Sequence, residues 1–362
     1  MELIVKNLTK AFGENVAVNN INISVGKGKL LVLLGPSGCG KTTTLRCIAG
    51  FEKPDTGVIV IGDKIVTDPK NGISLPPEKR GLGMVFQSYA IWPHLTVFEN
   101  VAYGLRMRKW SYKKIKERVE EMLELTGLEG LEDRPAPMLS GGQMQRVALA
   151  RSLAYNPDIL LLDEPLSNLD FKLRERLRFE LREIQLRVGI TAVYVTHDQS
   201  EAVALADEIV LMKKGKIEQQ GTAEEIFNKP KSSYVADFIG SANLVPAKIS
   251  REENNHYVLE TNENIQIQAN KTDDKFIKGQ EVKLVMRPEN IYLSKKKQED
   301  WINNVWEGEV VVPNYLGTQT RYVISINGRR LFVTVLGSSQ AFRANDKLYI
   351  HIPSKEIQVL GE

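Results

Sequence analysis

The residues best suited to chemistry form a glycine-rich segment, residues 35–42, with the pattern G-x-x-x-x-G-K-[ST]. Its glycines let the backbone curl and point N–H groups inward, which makes a nest for an anion. A helix beginning near Lys41 adds the positive end of its dipole, and the lysine adds a mobile charge. The Thr42 hydroxyl suits Mg²⁺. The pattern predicts a nucleotide phosphate site, since a chance match is expected in only about one per cent of chains this long.

An acidic pair, Asp163 and Glu164, follows the apolar residues 159–162. In phosphate-loop ATPases an aspartate at such a position holds Mg²⁺ through water. A glutamate one residue later can polarise an attacking water molecule. Alone, the pair would more often be a solvated strand end or a helix cap, but the phosphate loop upstream favours the catalytic interpretation.

A second glycine-rich segment, residues 139–143, reads LSGGQ and lies 20 residues before Asp163. A Ser-Gly-Gly turn that opens a helix is another nest for phosphate, although Ser140 would also serve as an ordinary helix cap. Chance gives this pentapeptide in about one chain in two thousand. Because one nucleotide does not need two separate nests from one chain, we expect this segment to contact a nucleotide on another subunit.

Short apolar runs must position these segments. Residues 30–34, 159–162, 192–195 and 209–212 are unbroken apolar runs, as expected for strands buried on both faces of a parallel sheet. Helical patterns lie between them. Strands that alternate with helices predict a doubly wound α/β fold for the first two thirds of the chain.

Two of the helices are predicted from apolar residues three and four positions apart. Ser111 precedes the first helix and Gly127 follows it, whereas Gly189 ends the second. The residues expected on the buried faces are Ile115, Val119, Met122 and Leu123 in the first helix, and Leu173, Leu177, Leu181, Ile184 and Val188 in the second.

The last third of the chain alternates apolar and polar residues. Residues 322–326 and 331–335 do so on either side of an Asn-Gly pair, which is a strong hairpin signal. Residues 265–267 and 348–352 alternate as well. We therefore expect an all-β domain, with a barrel as its architecture, after a boundary in residues 230–241.

Composition argues against several classes of protein. A net charge of +3 is too small to indicate a nucleic-acid-binding surface. No apolar run approaches the roughly 18 residues of a membrane-spanning helix, and the first residues do not resemble a signal peptide. The two cysteines, Cys39 and Cys47, provide no disulfide framework, so we expect a soluble cytosolic protein.

The two thiols are expected to differ. Cys39 lies inside the phosphate loop near a helix N-terminus, which predicts a lowered thiol pKa and reaction with maleimides unless nucleotide protects it. Cys47 lies in the following helix and is expected to be buried and inert.

Taken in order, these motifs resemble those of the ATP-binding cassette (ABC) family over about residues 1–235. Four further features match: Gln87 after GMVF resembles the Q-loop glutamine, and residues 167–170 resemble the D-loop. His197 resembles the switch histidine, and Phe12 resembles the aromatic residue that stacks on adenine.

Residues 87–94, 237–240 and 287–290 are similar to those of the importer ATPases for maltose and related sugars, which carry a C-terminal regulatory β-barrel. The resemblance implies an α/β P-loop NTPase fold followed by an all-β OB-like domain. The implied parts are a nucleotide-binding domain over residues 1–235 with a small helical lobe at about 88–155, a linker over 236–241, and a TOBE regulatory domain over 242–362.

The resemblance implies two ATP molecules held between two chains arranged head to tail. Glu164 would act on the attacking water, His197 would contact the γ-phosphate, and Gln87 would serve water and metal. The implied Mg²⁺ ligands are Thr42, Gln87 and Asp163. The implied nucleotide contacts are Phe12, Gly35, Pro36, Ser37, Gly38, Cys39, Gly40, Lys41, Thr42 and Thr43, with Ser140, Gly141, Gly142, Gln143 and Asp170 coming from the partner chain.

The resemblance further implies ATP hydrolysis coupled to import. The partners would be integral-membrane permease subunits and, indirectly, an extracytoplasmic solute-binding protein, at the cytoplasmic face of the membrane and without nucleic acid. The segment around Trp92 and the helix near Ile115 would dock on the permease, although Trp92 would serve equally as core. We expect a sugar as solute; polyamine, glycerol phosphate, ferric iron and sulfate are alternatives. A cassette protein acting on nucleic acid or ribosomes is a remote alternative.

Overall fold

The computed structural model describes residues 1–271, 275–337 and 340–361. The chain forms two compact units, Met1–Glu224 and Glu225–Glu362. None of the described helices is long and apolar enough to cross a membrane.

The first unit combines a mainly parallel sheet, an antiparallel sheet and helices. Its strands are β1 (Leu3–Phe12), β2 (Asn15–Val25), β3 (Leu30–Leu34), β4 (Thr56–Ile61), β5 (Lys64–Asp68), β6 (Ile73–Ser74), β7 (Leu82–Val85), β8 (Ile159–Asp163), β9 (Thr191–Thr196), β10 (Glu208–Lys213) and β11 (Lys216–Gly221). Its helices are α1 (Lys41–Ala49), α2 (Val97–Met107), α3 (Tyr112–Leu125), α4 (Gly141–Leu153), α5 (Phe171–Val188) and α6 (Gln199–Leu205), and α7 (Ala223–Asn228) crosses the boundary between the units.

The mainly parallel sheet has the strand order β11-β10-β3-β9-β8-β7. Strands β10, β3, β9, β8 and β7 run parallel, and only β11 at the edge is antiparallel. The four apolar runs are β3, β8, β9 and β10, so the predicted strands are confirmed. Because parallel strands end at the same edge, the segments after β3, β7, β8 and β9 converge there.

The antiparallel sheet has the order β2-β1-β4-β5-β6. Its buried side chains, including Leu3, Val5 and Ile59, pack in one hydrophobic core with side chains of β3 and α1. This packing fixes the base from which the loop after β3 emerges.

Both predicted helices form, but the prediction of the buried face of α5 is only partly correct. Helix α3 buries the four expected residues. Helix α5 buries Leu177 and Leu181 as expected, but it exposes Val188 and buries Arg178 and Gln185.

The burial of Gln185 is possible because its side chain is paired. Its amide nitrogen donates to the carbonyl oxygens of Gly28 at 3.0 Å and Ile190 at 2.6 Å. Buried polar groups persist where they find such partners, and apolar spacing alone does not reveal them.

The second unit is almost entirely β-structure, as predicted. After α8 (Ser233–Phe238) its strands are β12 (Asn243–Glu252), β13 (His256–Thr261), β14 (Gln266–Asn270), β15 (Glu281–Met286), β16 (Tyr292–Ser294), β17 (Val305–Tyr315), β18 (Gln319–Ile326), β19 (Arg329–Leu336), β20 (Lys347–His351) and β21 (Ile357–Gly361).

These strands form two antiparallel sheets, β14-β13-β12-β15-β21 and β16-β20-β17-β18-β19. One hydrophobic core takes side chains from both sheets, as in an OB-like barrel. The predicted Asn-Gly hairpin joins β18 to β19, with Asn327 and Gly328 both at positive φ.

Candidate active site

The loop between β3 and α1 depends on glycines for its conformation. Gly35, Gly38 and Gly40 have φ of 153°, 76° and 106°, values that side chains disfavour. A Cβ atom on Gly35 would lie 2.3 Å from the carbonyl oxygen of Met212, and one on Gly40 would lie 2.3 Å from that of Ala17. The loop therefore takes this form only with glycine at both positions.

Lys41, the first residue of α1, folds back over this loop. Its Nζ atom donates to the carbonyl oxygens of Gly35 at 2.7 Å and Pro36 at 2.9 Å. The side chain is only 4% exposed. These bonds hold the ammonium at the mouth of a loop that carries no acidic side chain, so an anionic ligand would find an unneutralised cation.

Cys39 is buried inside the phosphate loop, and its reaction with maleimides stays a prediction. The residue is only 3% exposed, and burial raises the pKa of its thiol, although the nearby Lys41 charge acts in the opposite direction. The predicted lowered pKa is wrong, because desolvation outweighs the lysine and the helix N-terminus. Cys47 is buried as expected, and burial raises its pKa to about 12.

Thr42 and Asp163 form a pair that fits Mg²⁺. The Thr42 hydroxyl lies 3.2 Å from a carboxylate oxygen of Asp163 at the end of β8. Burial raises the pKa of Asp163, with the Thr42 hydrogen bond and the Arg46 charge acting against it. Two oxygen ligands from the protein are enough for Mg²⁺ in a nucleotide site, because phosphate oxygens and water molecules complete its coordination. Thr43 is half-buried in the same turn of α1.

Glu164 lies at the centre of a small polar cluster. Its backbone has φ of 44°, and its N–H donates to the carbonyl oxygen of Val195 on β9. His197 Nδ1 lies 3.4 Å from one of its carboxylate oxygens. The side-chain amide of Gln87 donates to the other at 3.4 Å. The structure thus brings Gln87, Glu164 and His197 together beside Asp163.

Phe12 lies at the end of β1, and its ring is 48% exposed. The Lys10 ammonium lies 4.9 Å from the ring centroid. An exposed aromatic face of this kind is available for stacking on a nucleobase.

The second glycine-rich segment is a capped helix start. Ser140 caps α4: its hydroxyl accepts from the Gln143 N–H at 3.3 Å, and the Gln143 side chain accepts from the Ser140 N–H at 2.9 Å. Within residues 1–271, 275–337 and 340–361, no hydrogen bond joins this segment to the phosphate loop. Asp170 likewise caps its own helix by accepting from the Leu173 N–H.

Sequence reasoning missed the side chains that hold the cluster in place. Asn168 donates to the carbonyl oxygen of Gln87 at 2.9 Å. Glu201, buried in α6, accepts from the hydroxyls of Tyr194 at 2.9 Å and Thr196 at 2.7 Å, directly before His197. The sequence signal for the contacts of Glu201 was a glutamate at the third position of the short helix α6.

A phosphate loop, an acidic pair and a switch-type histidine at one edge of a parallel sheet define a nucleotide-hydrolysing protein of the P-loop class. The family model described as "ABC transporter" matches residues 18–167, and that described as "TOBE domain" matches residues 284–360. The chain belongs to the ABC importer ATPases that carry a C-terminal TOBE domain.

The relatives align over almost their full lengths. The Fe(3+) ions import ATP-binding protein FbpC of Brucella suis biovar 1 is 41% identical over 99% of this chain and 97% of its own. The spermidine/putrescine import ATP-binding protein PotA of Thermotoga maritima is 42% identical over 90% of this chain and 87% of its own.

Solved structures match the first part of the fold. The cbiO1 protein of Clostridium perfringens, part of the ABC transporter complex cbiONQ, gives a TM-score of 0.57 at 31% identity, covering 63% of this chain and 90% of that one. The cassette MJ0796 in a dimeric, post-hydrolysis state bound to ADP and Pi gives 0.53 at 34% identity, covering 61% and 98%.

These comparisons confirm the predicted family, fold class and enzyme class. The chain binds ATP and is an ATP hydrolase coupled to transport. The predicted preference for a sugar is not supported, because the similar relatives are named for ferric ions or polyamines. Both solutes were among the alternatives.

Proposed function

We propose that this chain powers the import of a cationic solute, ferric ion or a polyamine, by hydrolysing ATP at the site built on residues 35–43. The observation that carries the catalytic part is the cluster in which Gln87 and His197 both lie 3.4 Å from Glu164, beside the buried Asp163. Such a group at the phosphate loop has the parts needed to orient and activate a water molecule.

Each residue then has a distinct task. The loop N–H groups and Lys41 bind the β- and γ-phosphates, and Phe12 stacks on the adenine. Thr42, Asp163 and Gln87 would hold Mg²⁺, which would neutralise phosphate charge. Glu164 accepts a proton from water as the water oxygen attacks the γ-phosphorus and the bond to ADP breaks. His197 donates a hydrogen bond to the departing phosphate.

The second glycine-rich segment acts in trans. We infer that Ser140, Gly141, Gly142 and Gln143, with Asp170, complete the ATP site of a second copy of the chain. The support is that this helix start is well formed but is not bonded to the chain's own phosphate loop. Two copies in head-to-tail arrangement would give each ATP one loop and one helix start.

The permease would dock beside the Gln87 segment, at the cytoplasmic face of the membrane. An open groove of about 270 Å³ lies there, lined by Met84, Phe86, Trp92, Tyr103 and Tyr155 among others. Trp92 packs against Tyr103 with ring centroids 4.2 Å apart and the ring planes tilted by 35°, and it remains half-buried. A groove lined by aromatic side chains and by Arg151, close to the proposed catalytic glutamine, suits a helix of a membrane partner.

The proposed domain boundaries and the role of the solute-binding protein follow the pattern of the ABC importers. We propose residues 1–235 as the nucleotide-binding domain with its helical lobe at about 88–155, residues 236–241 as a linker, and residues 242–362 as the regulatory domain. A solute-binding protein would deliver the solute to the permease and would not touch this chain.

Glu164→Gln tests the catalytic part. The substitution keeps the size of the side chain but removes the proton acceptor, so turnover should fall by at least about a hundredfold while ATP still binds. Near-normal turnover would show that Glu164 is not the base. Glu175→Gln, on the exposed side of α5, is the matched control and should leave turnover unchanged.

The solute is tested with the complex reconstituted in vesicles together with its permease and binding protein. ATP hydrolysis should rise when ferric ion or spermidine is offered to the binding protein. Stimulation by maltose, with neither cation active, would contradict the proposed solute class and leave the ATPase assignment intact.

A further inference from the structure

Arg174, in the first turns of α5, contacts two loops of the active site at once. Its guanidinium donates to the carbonyl oxygens of Ser167 at 3.3 Å and Leu169 at 2.9 Å. Its other terminal nitrogen lies 3.8 Å from a carboxylate oxygen of Asp198, the residue after His197.

The first of these loops leads directly to the catalytic carboxylate. The Ser167 hydroxyl donates to the Glu164 carbonyl oxygen at 3.0 Å and accepts from the Gln87 amide at 3.3 Å. A shift of the Ser167 backbone would therefore move the Glu164 turn, whose φ of 44° already requires support from its neighbours.

The second loop presents the histidine. Asp198 caps α6 through one carboxylate oxygen, which accepts from the N–H groups of Ser200 and Glu201. Its other oxygen faces Arg174. The Asp198 N–H donates to the Thr196 hydroxyl at 3.0 Å, so the backbone on both sides of His197 is fixed.

We propose that Arg174 is a positioning residue that holds the Glu164 loop and the His197 loop in register for hydrolysis. The planar guanidinium donates to the two carbonyl groups through one terminal nitrogen and turns the other toward the carboxylate, a spacing that a single ammonium nitrogen does not reproduce. Its Nε atom is buried and has no hydrogen-bond partner among the described residues. The inference rests on the proposed roles of Glu164 and His197.

The test uses the full-length chain and compares Arg174→Gln with Arg174→Lys and Arg178→Gln. Arg178 is the matched control, because it lies on the same helix and reaches the Ser200 hydroxyl, which bonds to Asp198, but makes no direct hydrogen bond to either loop. Arg174→Gln should lower kcat about 10- to 100-fold, with KM for ATP changed less than about twofold, since misplacement by about 1 Å costs that much. Arg174→Lys should recover only part of kcat, and Arg178→Gln should retain it.

Turnover is divided by the concentration of chains that bind nucleotide, so loss of folded protein does not lower the measured kcat. A kcat for Arg174→Gln equal to that of the wild type, or to that of Arg178→Gln, overturns the proposal. If instead Glu164→Gln retains turnover, the proposed catalytic base fails, which is a separate result.

A double-variant comparison separates positioning from a general effect on structure. Because Arg174 holds the Glu164 loop as well as the His197 loop, adding Arg174→Gln to His197→Ala should still lower kcat, but by a smaller factor than it does in the wild type. Full multiplication of the two single effects would show that Arg174 does not act through the histidine loop and would overturn the proposal that it holds both loops.

Discussion

Two helix starts in this chain are rich in glycine, yet they use glycine for opposite reasons. In the phosphate loop, Gly35 and Gly40 have φ values that other residues disfavour, and a Cβ atom would meet backbone oxygens at 2.3 Å. At the start of α4, Gly141 and Gly142 have ordinary helical backbones. A Cβ atom there would meet side chains of Leu169 and Leu177 at 3.0 and 3.2 Å.

The difference shows what each start can do alone. The phosphate loop has a fixed backbone, a buried lysine and two oxygen groups for a metal, so it is a nearly complete site. The α4 start is stabilised by Ser140 and Gln143, and its two glycines let the helix pack closely against leucine side chains of the same chain, Leu169, Leu173 and Leu177. Glycine thus sets the backbone conformation in the phosphate loop, whereas at the α4 start it makes room for neighbouring side chains.

The largest expected effect comes from Gly40→Ala. Strained backbone of this kind costs about 1–3 kcal/mol, and the contact with the Ala17 carbonyl oxygen adds to it. We expect the free energy of unfolding to fall by at least about 2 kcal/mol and ATP affinity to fall at least tenfold. Urea unfolding and nucleotide titration measure both quantities.

Gly142→Ala is the matched control for that substitution. The better helix propensity of alanine, worth up to about 1 kcal/mol, offsets a contact with flexible leucine side chains. Stability and ATP affinity of the single chain should therefore change little. Equal damage from both substitutions would remove the distinction between the two glycine pairs.

A smaller effect is expected from Ser140→Ala. The substitution removes the capping oxygen that accepts from the Gln143 N–H, which should cost about 1 kcal/mol of unfolding free energy. ATP binding by the single chain should be unaffected, because the phosphate loop does not use this helix. Weakened ATP binding at low protein concentration would mean that the two starts act within one chain.

The smallest expected effect concerns the carboxylate of Asp163, which is buried beside the phosphate loop. Because burial raises the folded pKa of Asp163 above its unfolded value, its contribution to stability is present in acid and is lost as pH rises through the folded pKa. Asp163→Asn keeps an oxygen for Thr42 but does not titrate. Without nucleotide, the variant should gain stability relative to the wild type from pH 3 to pH 7, although Mg-ATP should stabilise it less. A stability difference independent of pH would contradict this.

Much of the fold follows from short-range patterns. Unbroken apolar runs predicted the central strands, and alternation with Asn-Gly predicted the β18–β19 hairpin, because burial on two faces or one face leaves a direct mark on sequence. Motif order predicted which residues meet at the sheet edge. These signals need no knowledge of distant contacts.

The features that sequence did not reveal depend on such contacts. Gln185 is buried because the carbonyl groups of Ile190 and of the distant Gly28 face it, and the pKa of the Cys39 thiol is raised because its surroundings exclude water. Arg174 looks like an ordinary surface arginine until α5 is placed against both loops. The solute left no mark in the ATP site, which explains why the expectation of a sugar was not supported.

The central claim is that each ATP lies between the phosphate loop of one chain and the α4 start of another. The direct measurement is the distance between spin labels at Glu14→Cys of one chain, an exposed residue outside the phosphate loop, and Met138→Cys of a second, both in the Glu164→Gln background. Met138 is exposed just before residues 139–143, and both native cysteines are buried. Mg-ATP should produce a short intermolecular distance that ADP reverses and a bulky residue at position 140 abolishes. An unchanged distance with saturating Mg-ATP would contradict the head-to-tail site.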